Sequence, residues 1–297
     1  MPPDALASLA RRYEVTNGRS FKLKHYEPGD TAGLDLKDGA GDLLEQGVRR
    51  TADLQERLYA QDRWAVLLIL QAMDAAGKDS TIKHVMSGVN PQGCDVHAFK
   101  APSAEELDHD FLWRASRALP RRGHIGIFNR SYYEEVLVVR VHPELLARQQ
   151  LPDRVVTTRI WKERFDDIRA FEAYLGRQGV VVRKIFLHVS PDEQRRRFLS
   201  RLREPEKHWK FALADVHERR HFADYMDAYQ DAIAHTATRQ APWYVVPADR
   251  KWFTRLVVSS ILVRTLEELK PAFPEIDGRK RRELRVAEAA LMAEERA

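Results

Sequence analysis

The sequence predicts an α/β fold in which a parallel sheet of five strands is covered by helices on both faces, giving three layers. Three observations predict it. Five short apolar runs have the length of strands, longer segments with apolar residues at helical spacing separate them, and the first run leads into a tight Gly-Lys turn. The predicted strands are residues 64–70, 94–99, 125–128, 180–189 and 243–246.

The predicted helices lie before, between and after these strands. An amphipathic helix over 42–61 precedes the first strand, and a helix over 78–88 follows the Gly-Lys turn and ends at Gly88. The other predicted helices are 104–119, 133–149, 153–178, 191–202, 213–235 and 250–270. Strands and helices therefore alternate, as in βαβ units.

The chain divides into three predicted parts. Residues 1–40 are polar and rich in turns, which indicates an extended segment that wraps the surface. Residues 41–275 form the α/β domain, with a helical lid at about 195–225. Residues 276–297 are charged and Ala-rich, which is typical of an exposed tail, either a frayed helix or disordered.

Composition indicates a soluble globular protein, with 44% hydrophobic and 31% charged residues among 297. The net charge of +5 comes from well-mixed charges, so we expect no nucleic-acid binding. No apolar run reaches the roughly 18 residues of a membrane helix, and the N-terminus lacks the features of a signal peptide. A single cysteine, Cys94, suits a reducing compartment. We therefore expect no membrane association and a cytoplasmic location.

The turn at residues 72–80 (AMDAAGKDS) resembles a phosphate-binding P-loop, or Walker A motif. Such a loop directs backbone N–H groups toward phosphate oxygens at a helix N-terminus. The alternative is a Gly-Lys pair in an ordinary βα turn. The preceding strand, the small residues of the turn and the helix start favour phosphate binding, with Gly77 allowing close approach and Lys78 reaching the phosphate.

Two positions depart from the G-x-x-x-x-G-K-[ST] pattern. Ala72 replaces the first Gly, and Asp79 replaces the hydroxyl residue that ordinarily holds Mg²⁺. The Asp79 carboxylate is itself a candidate metal ligand. Asp74 would be repelled by a bound phosphate unless a metal or a proton intervenes, so it is expected either to bind Mg²⁺ or to accept a proton from the acceptor phosphate.

A second motif follows the third predicted strand, at residues 129–135 (NRSYYEE). The Asn129 amide can hydrogen-bond an acceptor, and the Arg130 guanidinium can bind two phosphate oxygens at once. The alternative is a surface loop with a helix-capping Asn or Ser. Its place after a strand of the same sheet favours function.

Seven cations lie within sixteen residues of the lid region, which suggests a polyanionic substrate. The alternative is a solvated helix face. These cations are Arg195, Arg196, Arg197, Arg201, Arg203, Lys207 and Lys210.

Together these segments resemble the polyphosphate kinase 2 family, whose P-loop enzymes move phosphoryl groups between inorganic polyphosphate and nucleotides. The matching stretches span about residues 20–270 and include 71–82, 88–93, 128–135, 204–211 and 241–244. Asn129, Met73 and the Tyr-Tyr-Glu-Glu run resemble class III, which phosphorylates both AMP and ADP. The resemblance implies a P-loop kinase-like fold and an ATP-forming enzyme fed by polyphosphate.

The resemblance also assigns roles to residues. It implies that Asp74, Lys78 and Arg130 are catalytic, with Asp74, and alternatively Asp79, holding Mg²⁺ or Mn²⁺. The implied nucleotide-binding residues are Asn129, Arg130, Tyr132, Tyr133 and Glu134. The implied phosphate- and polyphosphate-binding residues are Ala75, Ala76, Gly77, Asp79, Ser80, Thr81, Lys83, Arg197, Arg201, Lys207 and Lys210.

The predicted reaction is in-line transfer of the terminal phosphoryl group of polyphosphate to AMP or ADP, with Mg²⁺, Lys78 and Arg130 neutralising charge. Adenine nucleotides, with guanine nucleotides as an alternative, and polyphosphate are the expected partners, and the resemblance implies a homodimer or homotetramer. Two other functions stay open. One is an ATP-dependent nucleotide or small-molecule kinase of the same fold, and the other is a polyanion-binding module without catalysis.

Overall fold

The sheet has six strands. The computed structural model describes residues 4–35 and 39–294. Its strands are β1 (Glu14–Val15), β2 (Ala65–Ala72), β3 (Cys94–Ala98), β4 (Ile125–Asn129), β5 (Val180–His188) and β6 (Trp243–Pro247). Their order across the sheet is β1-β6-β5-β2-β4-β3, and every pairing except that of β1 with β6 is parallel.

The five predicted parallel strands are confirmed, and the predicted strand count of five is wrong by one. The additional strand, β1, has only two residues and pairs antiparallel with the edge strand β6, with Val15 opposite Trp243. Tyr13 extends this contact, because its carbonyl accepts a hydrogen bond of 3.0 Å from the Val245 N–H. A two-residue strand carries too short a pattern to be recognised in a sequence.

The helices are α1 (Asp4–Arg12), α2 (Ala40–Gln61), α3 (Lys78–Val85), α4 (Ala104–Leu107), α5 (Trp113–Arg117), α6 (Val138–Val141), α7 (Glu144–Ala147), α8 (Ile160–Arg177), α9 (Pro191–Arg203), α10 (Leu213–Glu218), α11 (Phe222–Thr236), α12 (Lys251–Leu269) and α13 (Gly278–Glu294). They pack in two groups against the sheet. In one group α12 contacts α1, α2 and α3, and in the other α11 contacts α6 and α8. Short 3-10 helices cover Leu23–His25, Pro91–Gly93, Tyr132–Val136, Asp153–Val155, Pro205–Lys210 and Arg219–His221.

None of the helices in the described part of the chain combines the length and the apolar character that crossing a membrane requires.

Three long predicted helices are broken into shorter ones. The predicted helix over 213–235 consists of α10 and α11, which the 3-10 helix Arg219–His221 separates. Over 104–119 the break falls at Asp110, whose carboxylate accepts a 2.9 Å hydrogen bond from the Leu112 N–H and so competes with the helix. Over 133–149 it falls between α6 and α7, where Pro143 has no N–H to continue the helix.

The N-terminal segment contributes to the core as well as wrapping the surface. Helix α1 packs against α12, and Tyr13, Phe21 and Leu23 are buried in the same apolar core as the sheet. The C-terminal helix α13 has no buried residue. The division of the chain at residues 40 and 275 stays a prediction.

A buried ionic network fixes the segment that follows β4. Lys184 of β5 is fully buried and donates hydrogen bonds to Glu172 Oε2 of α8 (2.5 Å) and to the Thr236 carbonyl (2.8 Å). The other oxygen of Glu172 accepts hydrogen bonds from the hydroxyls of Tyr132 (3.0 Å) and Tyr133 (2.8 Å). One buried carboxylate therefore ties α8, β5 and the 3-10 helix Tyr132–Val136 together.

Removing one partner of this network would leave the other charge buried without its counterion. We expect Lys184→Met to lower the free energy of unfolding by about 3–5 kcal/mol. The double variant Lys184→Met/Glu172→Gln should recover part of that loss, because no unpaired charge then remains. Urea unfolding followed by circular dichroism measures both.

Lys162→Gln on the exposed side of α8 is the matched control, with an expected change within about 0.5 kcal/mol. A loss below about 1 kcal/mol for Lys184→Met would show that the network does not hold this region together.

Candidate active site

The loop between β2 and α3 has the conformation of an anion-binding turn. It runs from Met73 to Gly77, and α3 begins at Lys78. Gly77 has a φ of 108°, in the left-handed region that glycine tolerates without a steric cost. Ala75 also has a positive φ, 63°, which is uncommon for a residue with a Cβ. Because α3 follows β2 directly after this loop, its first residues lie at the carboxyl edge of the sheet, where parallel α/β sheets bind ligands.

Lys78 lies across this loop. Its ammonium donates a 2.8 Å hydrogen bond to the Ala72 carbonyl, and this uses one of its three N–H donors. Burial lowers the pKa of Lys78, while the Asp74 carboxylate opposes the shift. A bound phosphate would favour the charged ammonium in the same way as Asp74 does.

An ion pair joins the two motifs found in the sequence. Arg130, directly after β4, donates a 2.9 Å hydrogen bond from Nη2 to Asp74 Oδ1 in the loop after β2. Arg130 has a φ of 65°, and its N–H donates to the Leu70 carbonyl (3.0 Å). Both side chains are partly exposed, with 39% of the arginine and 31% of the aspartate accessible, so a ligand can reach them.

The neighbouring residues of the second motif also contact the first. Asn129 Nδ2 donates a 2.8 Å hydrogen bond to Asp79 Oδ1, at the first turn of α3. Glu134 accepts a 2.8 Å hydrogen bond from Gln71 Nε2 at the end of β2. The structure thus brings Asn129, Arg130 and Glu134 to the loop.

Two cavities open on either side of the Asp74–Arg130 pair. The first, which we call the basic cleft, has a volume of about 570 Å³. Its polar lining comes from the P-loop, the ends of β3 and β4, the lid and the start of α12, and includes Lys78, Asp79, Ser80, Lys100, Asn129, Arg197, Arg201, Lys207, Trp209 and Lys251.

The second cavity, which we call the mixed cavity, has a volume of about 330 Å³. Apolar side chains and carboxylates line it together, and they include Met73, Leu137, Val138, Leu145, Tyr229, Glu134, Glu144 and Glu218. Asp74, Arg130 and Asp215 line both cavities. The pair therefore stands at the boundary between a cationic and a partly apolar compartment.

Arg197 is placed differently from its predicted role as a polyphosphate ligand. It is 8% exposed, and its Nη1 donates to the carbonyls of Ala75 (3.1 Å) and Ala76 (2.5 Å) in the loop. Its Nη2 donates to the Ala248 carbonyl (2.5 Å), and its Nε to Glu193 (2.8 Å). All three nitrogens are engaged by protein, so Arg197 shapes the phosphate loop from behind.

Two more of the predicted lid cations, Arg201 and Lys207, line the basic cleft. Arg201 lines it and stands 3.9 Å from Asp215 of α10. Lys207 also lines it and pairs with Glu204. Lys210 ends its 3-10 helix, and its side chain lies outside what the structure describes.

The structure corrects the assignment of Tyr132 and Tyr133 to the nucleotide. Both rings are fully buried, and their hydroxyls bond to Glu172. Both side chains lie in the core, where the ring of Tyr133 also packs edge-on against Trp243. The tyrosines therefore hold the second motif in position and line neither of the two cavities described above.

The side chains of three predicted phosphate-binding residues in the P-loop region do not line the cleft. Thr81 is buried at 2% exposure, and Ala76 is buried at 3%. Lys83 is exposed on α3, and none of the three is among the described residues that line the basic cleft. Ala75, Gly77, Asp79 and Ser80 do line it.

The carboxylates at the loop suit a Mg²⁺ ion shared with a substrate. In the described ranges, no three His, Cys, Asp or Glu side chains converge as a metal site. Mg²⁺ at phosphoryl-transfer sites takes one or two carboxylates and completes its shell with phosphate oxygens and water. Asp74 and Asp79 both line the cleft beside Lys78, so the residues present fit such an ion, and oxygen ligands suit Mn²⁺ as well.

Sequence reasoning missed several residues that line the site. Lys100 and Lys251 lie beyond the carboxyl ends of β3 and β6, so the rule that ligands bind at that edge could have identified them. Asp215 and Gln194 do not directly follow a strand, so this rule could not have identified them. Gln194 donates a 3.0 Å hydrogen bond to the Asp74 carbonyl, and burial together with the nearby Asp74 carboxylate raises the pKa of Asp215.

Comparisons with known proteins agree with this geometry. The family model described as polyphosphate kinase 2 (PPK2) matches residues 37–274. The chain is 50% identical over 275 residues to a Rhodopseudomonas palustris protein named ADP-polyphosphate phosphotransferase, covering 92% of this chain and 95% of that one. It is 44% identical over 266 residues to the AMP/ADP-polyphosphate phosphotransferase of Meiothermus ruber, covering 89% of this chain and 96% of that one.

A solved structure is also similar over nearly the whole chain. The crystal structure of polyphosphate kinase 2 from Arthrobacter aurescens superposes with a TM-score of 0.85 and 39% sequence identity, covering 94% of this chain and 96% of that one. Because the family model matches well over half of the residues, the chain belongs to the polyphosphate kinase 2 family.

Proposed function

We propose that this protein transfers the terminal phosphoryl group of inorganic polyphosphate to AMP or ADP, forming ADP or ATP. The observation that carries the proposal is the Asp74–Arg130 ion pair, which forms a common wall of the basic cleft and the mixed cavity. A donor in one compartment and an acceptor in the other would meet at this wall. The names of the relatives from R. palustris and M. ruber support the same substrates.

The basic cleft suits the donor. Lys100, Arg201, Lys207 and Lys251, which come from different segments, line it along with the P-loop. An ATP donor needs a pocket for its base, whereas a polyphosphate chain presents the same anionic unit along its whole length. A cleft with cations from several segments fits the chain better.

The mixed cavity suits the acceptor nucleotide. Met73, Leu137 and Val138 offer apolar contact area for a purine ring. The carboxylates of Glu134 and Glu218 can accept hydrogen bonds from an exocyclic amino group or from ribose hydroxyls. Adenine and guanine both carry such an amino group, so the carboxylates alone serve either base.

Catalysis in this arrangement depends on position and charge. Lys78, in the basic cleft, donates hydrogen bonds to the phosphoryl group that is transferred. Arg130, which also lines the mixed cavity, contacts the acceptor phosphate. Asp74 orients Arg130 through their hydrogen bond. Mg²⁺, when bound at the Asp74 and Asp79 carboxylates, would supply further positive charge at the phosphate oxygens. The protein forms no covalent bond to the phosphoryl group in this scheme.

The remaining expectations stay predictions. They are a cytoplasmic location, a homodimer or homotetramer, and no nucleic-acid partner.

One assay separates the three candidate functions. The protein is incubated with AMP or ADP, Mg²⁺ and either polyphosphate or ATP, and products are resolved by chromatography. We expect ADP and ATP to form with polyphosphate. Turnover with ATP alone as donor would indicate a nucleotide or small-molecule kinase, and polyphosphate binding without turnover would indicate a binding module.

Asp74→Asn tests the central carboxylate. The amide oxygen can still accept the Arg130 hydrogen bond, so the fold should persist, while the lost charge should lower kcat at least about a hundredfold. Steady-state kinetics with AMP and polyphosphate measure this effect. Asp227→Asn, on the exposed side of α11, is the matched control, and near-normal kcat for the Asp74 variant would exclude the proposed role.

Leu145→Trp tests the acceptor compartment. Leu145 lines the mixed cavity, and a larger ring there should exclude part of the nucleotide. We expect KM for AMP and ADP to rise about tenfold, with KM for polyphosphate changed less than about twofold. Leu146→Trp is the control, because its neighbour Leu146 is half-buried but is not among the described residues that line this cavity. Equal effects on both substrates would place the acceptor elsewhere.

A further inference from the structure

His142 lines the mixed cavity but has no assigned role in the reaction. It directly follows α6, as the C-terminal cap of that helix, and its side chain is 20% exposed. Its Nε2 lies 3.0 Å from Glu218 Oε2, at the end of the lid helix α10. An ionised carboxylate can only accept, so the proton of this hydrogen bond lies on Nε2. His142 therefore joins the segment after the second motif to the lid, at the wall of the cavity.

Neighbouring side chains fix the orientation of this ring. His221, three residues after Glu218, packs edge-on against it, with the ring centroids 5.0 Å apart. The Tyr225 ring of α11 lies at 6.4 Å. On the other side of the imidazole, Nδ1 is 3.4 Å from Glu144 Oε1 at the start of α7. The ring is thus held between α7 and the lid, with Nε2 directed at Glu218.

Glu218 is the carboxylate on which these contacts converge. Its Oε2 accepts a second hydrogen bond, of 3.0 Å, from the Tyr225 hydroxyl. Burial and the nearby Glu218 carboxylate raise the pKa of Tyr225, so this hydroxyl keeps the proton that it donates. Among the residues that the structure describes, no donor is bonded to Glu218 Oε1. Two donors therefore fix one oxygen, and the other can accept from a ligand in the mixed cavity.

The backbone at Glu218 has an anchor of its own. Arg219, the next residue, donates a 3.1 Å hydrogen bond from Nε to Gln194 Oε1 of α9. The Glu218 side chain, in contrast, is 34% exposed and is held only by the bonds of His142 and Tyr225 among the described residues. A flexible side chain loses rotamer freedom when it binds a ligand, and ordering it beforehand removes that cost.

We propose that His142 is a positioning residue for the acceptor nucleotide, because it holds Glu218 in place to accept a hydrogen bond from the nucleotide through Oε1. The proposal rests on the proposed function, which places the acceptor in the mixed cavity. The donor on the nucleotide is a ribose hydroxyl or an exocyclic amino group, since both can donate to a carboxylate. Loss of His142 should weaken binding of the acceptor and leave the basic cleft unchanged.

Three variants, His142→Ala, His142→Gln and His142→Asn, test this role by steady-state kinetics. The amide nitrogen of Gln can take the place of Nε2, whereas the shorter Asn places its nitrogen near the position of Nδ1, away from Glu218. We expect the Ala and Asn variants to raise KM for AMP about tenfold, with kcat and KM for polyphosphate changed less than about twofold. The Gln variant should stay within about threefold of the wild type, because it keeps the donor.

The matched control is His217→Ala, which removes an exposed histidine from the same lid helix. It should leave both KM values unchanged, and an unchanged Tm shows that each variant is folded. Equal rises in KM for AMP and polyphosphate in His142→Ala would show a general structural effect and would overturn the positioning role.

A double-mutant cycle with Glu218→Ala shows whether His142 acts through this carboxylate. If it does, His142→Ala should raise KM for AMP by less than about twofold once Glu218 is absent. A further rise of about tenfold in that background would show that the two residues act independently, against the proposal.

Two analogues of AMP identify the donor that Glu218 accepts from. One lacks the ribose hydroxyls, and the other, inosine monophosphate, has a carbonyl in place of the exocyclic amino group. The effect of His142→Ala on KM should disappear with the analogue that lacks the bonded donor. An effect that persists with both analogues would contradict a hydrogen bond from the nucleotide to Glu218.

Calorimetric titration with AMP alone judges His142 without turnover. The dissociation constant for AMP should rise about tenfold in His142→Ala, and an unchanged constant would overturn the role of His142 even where transfer occurs. If the wild type binds AMP but accepts no phosphoryl group from polyphosphate, the proposed function fails while this comparison still decides the role of His142.

Discussion

The arrangement of the active site depends on one buried carboxylate, that of Glu172. Its two oxygens serve Lys184 on one side and the hydroxyls of Tyr132 and Tyr133 on the other. The tyrosines follow Arg130 by two and three residues, so their anchoring limits where the arginine can lie. A charged network far from solvent, and not a direct contact with substrate, thus holds the second motif at the edge of the sheet.

Local backbone strain accompanies this anchoring. Ala75 and Arg130 both adopt positive φ angles, although neither is glycine. Such conformations cost on the order of 1–3 kcal/mol each and persist only where the surroundings enforce them. Arg197 donates a hydrogen bond to the Ala75 carbonyl, which holds the first conformation. The Arg130 N–H donates one to the Leu70 carbonyl, which holds the second. These two residues form or border the Asp74–Arg130 contact, whereas the other described non-glycine residues with a positive φ, Ala32, Asp62, Gln150 and Lys270, line neither of the two cavities beside it.

Much of the fold could be predicted from the sequence because its signals are local. The apolar runs of the parallel strands, the Gly-Lys turn and the helix after it need only neighbours in the chain. The antiparallel strand at Glu14 pairs with a strand more than 200 residues away, so no local pattern in the sequence predicts it. The same limit explains Tyr132 and Tyr133, since a family motif shows which residues occur together but not which of them face the core.

The site residues likewise include some that a local motif predicts and others that only the fold reveals. Lys78, Asp74 and Arg130 were found because a short motif contains the chemistry. Lys251 and Asp215 come from elements that approach the cleft only in the folded chain. Arg197 and Arg201 both line the cleft, and charge density alone does not show that Arg197 is the more buried of the two and is bonded to the loop carbonyls. Burial decides between such residues, and burial is a property of the whole domain.

The hydrogen bonds of Arg197 fix the middle of helix α9 but not its C-terminal end. They fasten the middle of this helix to the phosphate loop and to the Ala248 carbonyl after β6. Helix α9 ends at Arg203, and Glu204 after it has extended backbone angles. Segment 205–210 contacts α9 beyond this point, and none of the hydrogen bonds of Arg197 involves that segment. A movement of the segment during substrate entry would therefore leave the bonds that hold the phosphate loop intact.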